Sequence, residues 1–136
     1  MRTQTTEFGR LHLVRLDPDE DLLRGIEAAV QELGIQTGLI VSGIGSLKRY
    51  HYHVVETTRL PPGNVFPKGE GAYDLLHVTG VIADGRVHAH LTFSDREKAM
   101  GGHLEEGCQV LTFAVVALVE APGLQIADWD RVYHLP

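Results

Sequence analysis

The chain has 136 residues, 43% of them hydrophobic, which suits one domain spanning residues 1–136 with a core of its own and is short for two. Twelve Lys and Arg against 18 Asp and Glu leave a formal charge of -6, whereas nucleic-acid binding normally needs a basic face that displaces counterions from phosphates. Cys108 is the only cysteine, which excludes an intrachain disulfide and a cysteine-rich zinc knuckle and fits a reducing compartment.

The opening residues, MRTQTTE, lack the apolar stretch of a secretory signal, and no apolar run approaches the roughly 20 residues that span a bilayer. The expectation is a soluble, cytoplasmic protein with no membrane partner. The first element is an alternating strand over residues 8–16, with Leu11, Leu13 and Leu16 as its apolar positions. Asp17-Pro18-Asp19-Glu20 then reads as a helix start, with Asp17 accepting from free N–H groups, Pro18 at the first helical position and Glu20 completing a capping box. Leu22, Leu23, Ile26, Ala29, Val30 and Leu33 follow at helical spacing, and Gly34 is placed to end the helix in the left-handed conformation.

Residues 38–41 form a short apolar strand, closed by Ser42-Gly43-Ile44-Gly45-Ser46. That pentapeptide reads as a tight turn rather than an anion cradle, because it lacks the later Gly and the Lys of phosphate loops. Residues 47–57 predict another strand, with Tyr50, Tyr52 and Val54 on one face and His51 and His53 on the other. Residues 59–71, rich in Pro and Gly, read as a long loop.

Asp84-Gly85 between residues 73–83 and 86–93 predicts a hairpin with a two-residue turn. Residues 109–119 are almost continuously apolar, as expected of a strand covered on both faces, and a small domain achieves that most readily at a subunit interface. The tail, residues 127–135, adds a last strand or packs Trp129 and Tyr133 against the sheet. One helix among many strands gives an α+β fold with a predominantly antiparallel or mixed sheet and the helix on one face.

Chemistry concentrates in residues 86–107, RVHAHLTFSDREKAMGGHLEEG. Val87, Ala89, Leu91 and Phe93 alternate with His88, His90 and Thr92, so the two imidazoles share a face with Cα atoms about 7 Å apart. Both can reach one ion, and Gly101-Gly102 lets the backbone carrying His103 approach closely enough to supply a third ligand. Three imidazoles on Zn²⁺ leave a fourth position for water or substrate, the arrangement of catalytic zinc. The bland reading makes His88 and His90 the solvated face of a hairpin. His51 and His53 repeat the pattern and either line a polar strand face or supply an alternative or extra ligand. Asp95, Glu97, Glu105 and Glu106 can orient a histidine, act as a base or solvate the surface, and spacing selects none of them. Cys108 opens an apolar strand and reads as a core thiol.

The segments RLDPDEDLLRGIEAAVQELGI, GLIVSGIGSL, YDLLHVTGVIADGRVHAHLTFSD and GGHLEEGCQVLTFAVVALVE, in this order over residues 8–120, resemble the plants-and-prokaryotes conserved (PPC) domain. The resemblance implies an antiparallel sheet packed by one helix and assembled as a homotrimer. It also carries the HAH and GGH motifs over to a metal site at His88, His90 and His103. Plant relatives place this domain after AT-hook segments that grip A·T-rich DNA, and stand-alone prokaryotic members carry a DNA-binding label through that association. This chain has no Arg-Gly-Arg-Pro hook. Two readings of function stand side by side: a trimeric regulatory module, DNA-binding by family label, with a three-histidine zinc site, and a zinc-dependent enzyme on an unidentified small molecule.

Overall fold

In the computed structural model, which describes residues 1–132, Leu22, Ile26 and Val30 of helix α1 (Leu22–Glu32) are buried against one face of an antiparallel sheet. Its strands are β1 (Leu11–Leu16), β2 (Thr37–Val55), β3 (Asn64–Val65), β4 (Lys68–Ala83), β5 (Arg86–Ser94), β6 (Ala99–Leu104) and β7 (Gln109–Glu120). They run in the order β1-β7-β2-β4-β5-β6, with β3 beside β2. Strand β6 also returns to the far end of β2, pairing Tyr52 with Leu104 and His53 with His103, so this part of the sheet closes on itself. The expected α+β architecture with one helix on an antiparallel sheet is the one observed.

Alternation along the strands decides what lies beneath the helix. Ile40, Leu47, Val78, Ile82, Leu91, Val110, Val116 and Leu118 are buried there. At the closed end Phe93 is the hub, with the rings of Tyr50, Tyr52 and Tyr73 at 5.0, 5.7 and 5.3 Å from its own. Tyr50 and Tyr52 thus face inward and His51 and His53 outward, as their alternation predicts. The Asp84-Gly85 hairpin forms with both turn residues at positive φ, 53° and 74°, and pairs Ala83 with Arg86.

The helix starts later than Asp17-Pro18 predicts. Asp21 is its N-cap, accepting from the Arg24 amide at 3.0 Å, because the backbone of residues 19–22 is already engaged by β7 and the residue before it. Asp19 N–H donates to Val110 O, Val110 N–H to Glu20 O and Leu22 N–H to Cys108 O, while Asp19 adopts a φ of 75°. Cross-strand pairing therefore wins over the local capping signal. Gly34 ends the helix as expected, with its amide bonding Gln31 O and that of Ile35 bonding Val30 O.

Residues 42–46 make no turn. They continue β2, which shifts register against β7 near Ile40 and again near Gly45. The glycines serve cross-strand approach: a Cβ on Gly45 would sit 2.0 Å from Phe113 O. The predicted loop 59–71 is shorter, since β3 and the start of β4 occupy its second half. Strand β6 forms where no element was expected. In the tail, residues 127–131 form turns and bends rather than a strand, Trp129 lies under the Arg2 guanidinium at 5.5 Å, and Tyr133 falls outside the described residues.

On the side away from α1, Leu11, Leu13, Ile44, Leu76, Leu111 and Phe113 are exposed. The outer face of β7 is therefore left open at Leu111 and Phe113, while Val119 at its far end is buried. Among the described residues, no helix is long and apolar enough to cross a membrane.

Candidate metal centre

Three neighbouring strands bring four histidines together. Strand register sets His103 of β6 opposite His90 of β5 on one side and opposite His53 of β2 on the other, and His88 lies two residues along β5. The two glycines before His103 make this approach feasible: a Cβ on Gly101 would lie 2.0 Å from Leu91 O, and one on Gly102 would lie 2.4 Å from His53 O. Any side chain at either position would push β6 away from its neighbours.

The expected trio comes together as rings: centroids are 5.5 Å apart for His88 and His90, 4.6 Å for His88 and His103, and 5.6 Å for His90 and His103. His53 comes closer still, stacked on His103 at 4.2 Å. Among the described residues, the set whose donor atoms all lie within 4.8 Å of one another is His53, His103 and Glu105. Sequence reasoning treated His53 as an alternative or extra ligand and Glu105 as one of four equivalent carboxylates. Pairing across β2 and β6, a contact between residues 50 positions apart, is what selects them.

Hydrogen bonds divide the cluster unevenly. Since a carboxylate only accepts, His53 Nδ1–H donates to Glu105 Oε1 at 2.5 Å, and His88 Nδ1–H donates to Asp130 Oδ2 at 3.3 Å. His103 Nδ1 is buried and, among the described residues, has no hydrogen-bond partner; Glu105 Oε1 stands 3.5 Å from it. Burial, reinforced by neighbouring His53 and His88, lowers the His103 pKa to about 4. Burial likewise lowers that of His90, with His88 and His53 adding to the effect. Both rings are thereby kept neutral with a lone pair available, the state a metal ligand requires.

The other sequence candidates stand apart. His51 is tied by its Nδ1–H to Glu106 O at 2.7 Å, Asp95 caps its own turn by accepting from the amides of Glu97 and Lys98, and Glu106 binds Arg24 at 2.6 Å. Glu97 is exposed beside Arg96. Cys108 is fully buried and its thiol is pushed up to about 12, an inert core group. A cleft of about 330 Å³, lined by His53, Val54, Val55, His88, His90, Gly102 and His103, opens onto the cluster. Small-molecule access to the imidazoles is open from that side.

A family model for the Plants and Prokaryotes Conserved (PCC) domain matches residues 3–122. A solved structure from Pyrococcus horikoshii, described as a plant- and prokaryote-conserved protein, superposes with a TM-score of 0.74 and 29% identity over 92% of this chain and 87% of that one. A metal-containing protein from Archaeoglobus fulgidus superposes with a TM-score of 0.75 and 25% identity over 89% of this chain and 87% of that one. Among curated proteins, the chain is 30% identical over 114 residues to the bifunctional protein GlmU of a Synechococcus strain. That match takes in 83% of this chain but only 17% of the length of GlmU.

Proposed function

The chain belongs to the Plants and Prokaryotes Conserved domain family, and from that premise we propose that it is a homotrimeric regulatory module built around a zinc-class metal ion held by His88, His90 and His103, with His53 and Glu105 beside them. The observation that carries the metal is His103 Nδ1, a buried ring nitrogen with no hydrogen-bond partner among the described residues, on a ring that touches the three other imidazoles. A buried polar atom left unpaired costs about 1–3 kcal/mol, and a cation removes that cost. Imidazole and carboxylate donors together suit Zn²⁺. The metal-containing Archaeoglobus relative supports the same reading.

Which three donors take the ion depends on the proton between His53 and Glu105. A cation that keeps this proton uses the three histidines of the HAH and GGH motifs. One that displaces it finds His53, Glu105 and His103 within mutual reach. Metal analysis of the purified chain beside His88→Ala, His53→Ala and His103→Ala separates the two sets.

The trimer is supported by the apolar residues left exposed on β1, β2, β4 and β7. The acidic balance, -6 overall, disfavours direct gripping of DNA phosphates, so we place regulation in protein or small-molecule contacts. The open cleft at the histidines favours a second reading, a zinc-dependent enzyme that activates a bound water toward a small molecule.

A further inference from the structure

Behind His88 lies a residue that neither the histidine motifs nor the family match contains. Asp130, with a side chain only 9% exposed, bridges two neighbours on β5. Its oxygens receive Arg86 Nη1 at 3.0 Å and Nη2 at 3.2 Å, and Oδ2 also accepts from His88 Nδ1–H. Held in a two-point ion pair with the Arg86 guanidinium, the Asp130 carboxylate can only accept.

The segment bearing Asp130 is held in place by the other end of the chain. Gln4 and Gln125 bond reciprocally at 2.7 Å, Thr6 Oγ1 donates to Pro122 O at 2.6 Å, and Arg86 Nη2 donates to Ala127 O at 2.6 Å. The family match ends at residue 122, so Gln125, Ala127 and Asp130 lie beyond it.

We propose that Asp130 is the positioning residue for His88: it fixes the Nδ1–H tautomer and the ring's orientation, leaving Nε2 as the lone-pair donor to the metal. This rests on the reading of the cluster as a metal centre. Carboxylates behind ligating histidines act in this way, orienting the ring and raising its basicity, and losing one typically costs about 10–100-fold in metal affinity. Asp130→Ala takes away that acceptor. Nothing then holds the proton on Nδ1, so the ring relaxes toward the Nε2–H tautomer that a free neutral imidazole prefers, which has no lone pair at Nε2.

The test is long-range ¹H–¹⁵N imidazole spectroscopy on the metal-free, ¹⁵N-labelled full chain, followed by Zn²⁺ titration against a chelating dye. Wild type is expected to show His88 as Nδ1–H. Asp130→Ala should move it toward Nε2–H with the backbone amide spectrum otherwise retained and Zn²⁺ affinity about 10–100-fold weaker. Asp130→Glu, which keeps the carboxylate, should restore the tautomer and part of the affinity. An Nε2–H ring in wild type, or the same tautomer in wild type and Asp130→Ala, overturns the proposal and leaves Asp130 as an anchor of the tail on Arg86. A wild-type chain that takes up no Zn²⁺ sinks the metal reading instead, and the tautomers still decide the role of Asp130.

Discussion

The imidazoles of His53 and His103 stack at 4.2 Å across the two-rung pairing that joins β2 to β6. Residues from distant parts of the chain meet there, and His103 contacts every other histidine of the cluster. Its removal is the most damaging change to either donor set. His103→Ala should abolish metal retention in elemental analysis of the purified chain, where wild type carries about one ion per chain. His88→Ala empties the site if the motif histidines hold the ion, and His53→Ala does so if Glu105 is the third ligand. Full occupancy in His103→Ala would remove both sets from consideration.

Proton linkage gives a second expectation, for the metal-free chain. His103 has a pKa near 4 in the folded state against 6.5 for the ordinary imidazole, so between these values the unfolded chain binds more protons. Its contribution to stability is therefore full above pH 6.5 and is lost as the pH falls toward 4. Allowing for solvent screening of a half-buried ring, the loss is about 1–2 kcal/mol. Denaturant midpoints at pH 7.5 and pH 4.5 measure it, and His103→Gln should flatten the difference. An unchanged pH dependence in that variant would contradict the burial effect.

Gly102→Ala offers a steric test of how the site is assembled. The added methyl meets His53 O at 2.4 Å, which no rotamer relieves, so β6 must withdraw from β2. Overpacking of this kind costs about 1–3 kcal/mol. Metal affinity should fall with stability although no ligand has been altered. Wild-type affinity in a stably folded Gly102→Ala chain would show that the β2–β6 contact is not needed for the site.

The exposed apolar face makes a prediction about mass. Light scattering at micromolar concentration should report three copies, and Phe113→Glu combined with Leu13→Glu should give single chains, because charges within a buried apolar interface have no partners. A monomeric wild type would contradict the trimer.

Duplex DNA should not retain the chain at about 0.15 M salt, since a chain of net charge -6 neutralises few phosphates and so displaces few of the DNA's counterions. Retention on a DNA column at that ionic strength, with a steep loss on adding salt, would restore the DNA-binding reading.

The legible parts of this molecule are those where local pattern and tertiary structure agree. The stripe Leu22, Ile26 and Val30, the Asp84-Gly85 turn and the alternation around His88 and His90 each follow from a short window of sequence. Asp17-Pro18 misled because β7, some ninety residues away, claims the backbone at Asp19 and Glu20. Gly43 and Gly45 misled because glycine serves a turn and a close strand crossing equally well. His53, Glu105 and Asp130 reach the site only through long-range pairing and the tail's contact with Arg86, and no local spacing encodes either.

The β2–β6 closure consists of only two residue pairs, yet it shuts a loop that runs from residue 53 to residue 103. Such a short seam is the natural place for the sheet to breathe, so its amides should exchange with solvent earlier than those of β2 with β7. An ion held from both sides would rivet that seam. Loading the centre would then register as slowed hydrogen exchange along β6, turning metal supply into a control on the rigidity of this edge.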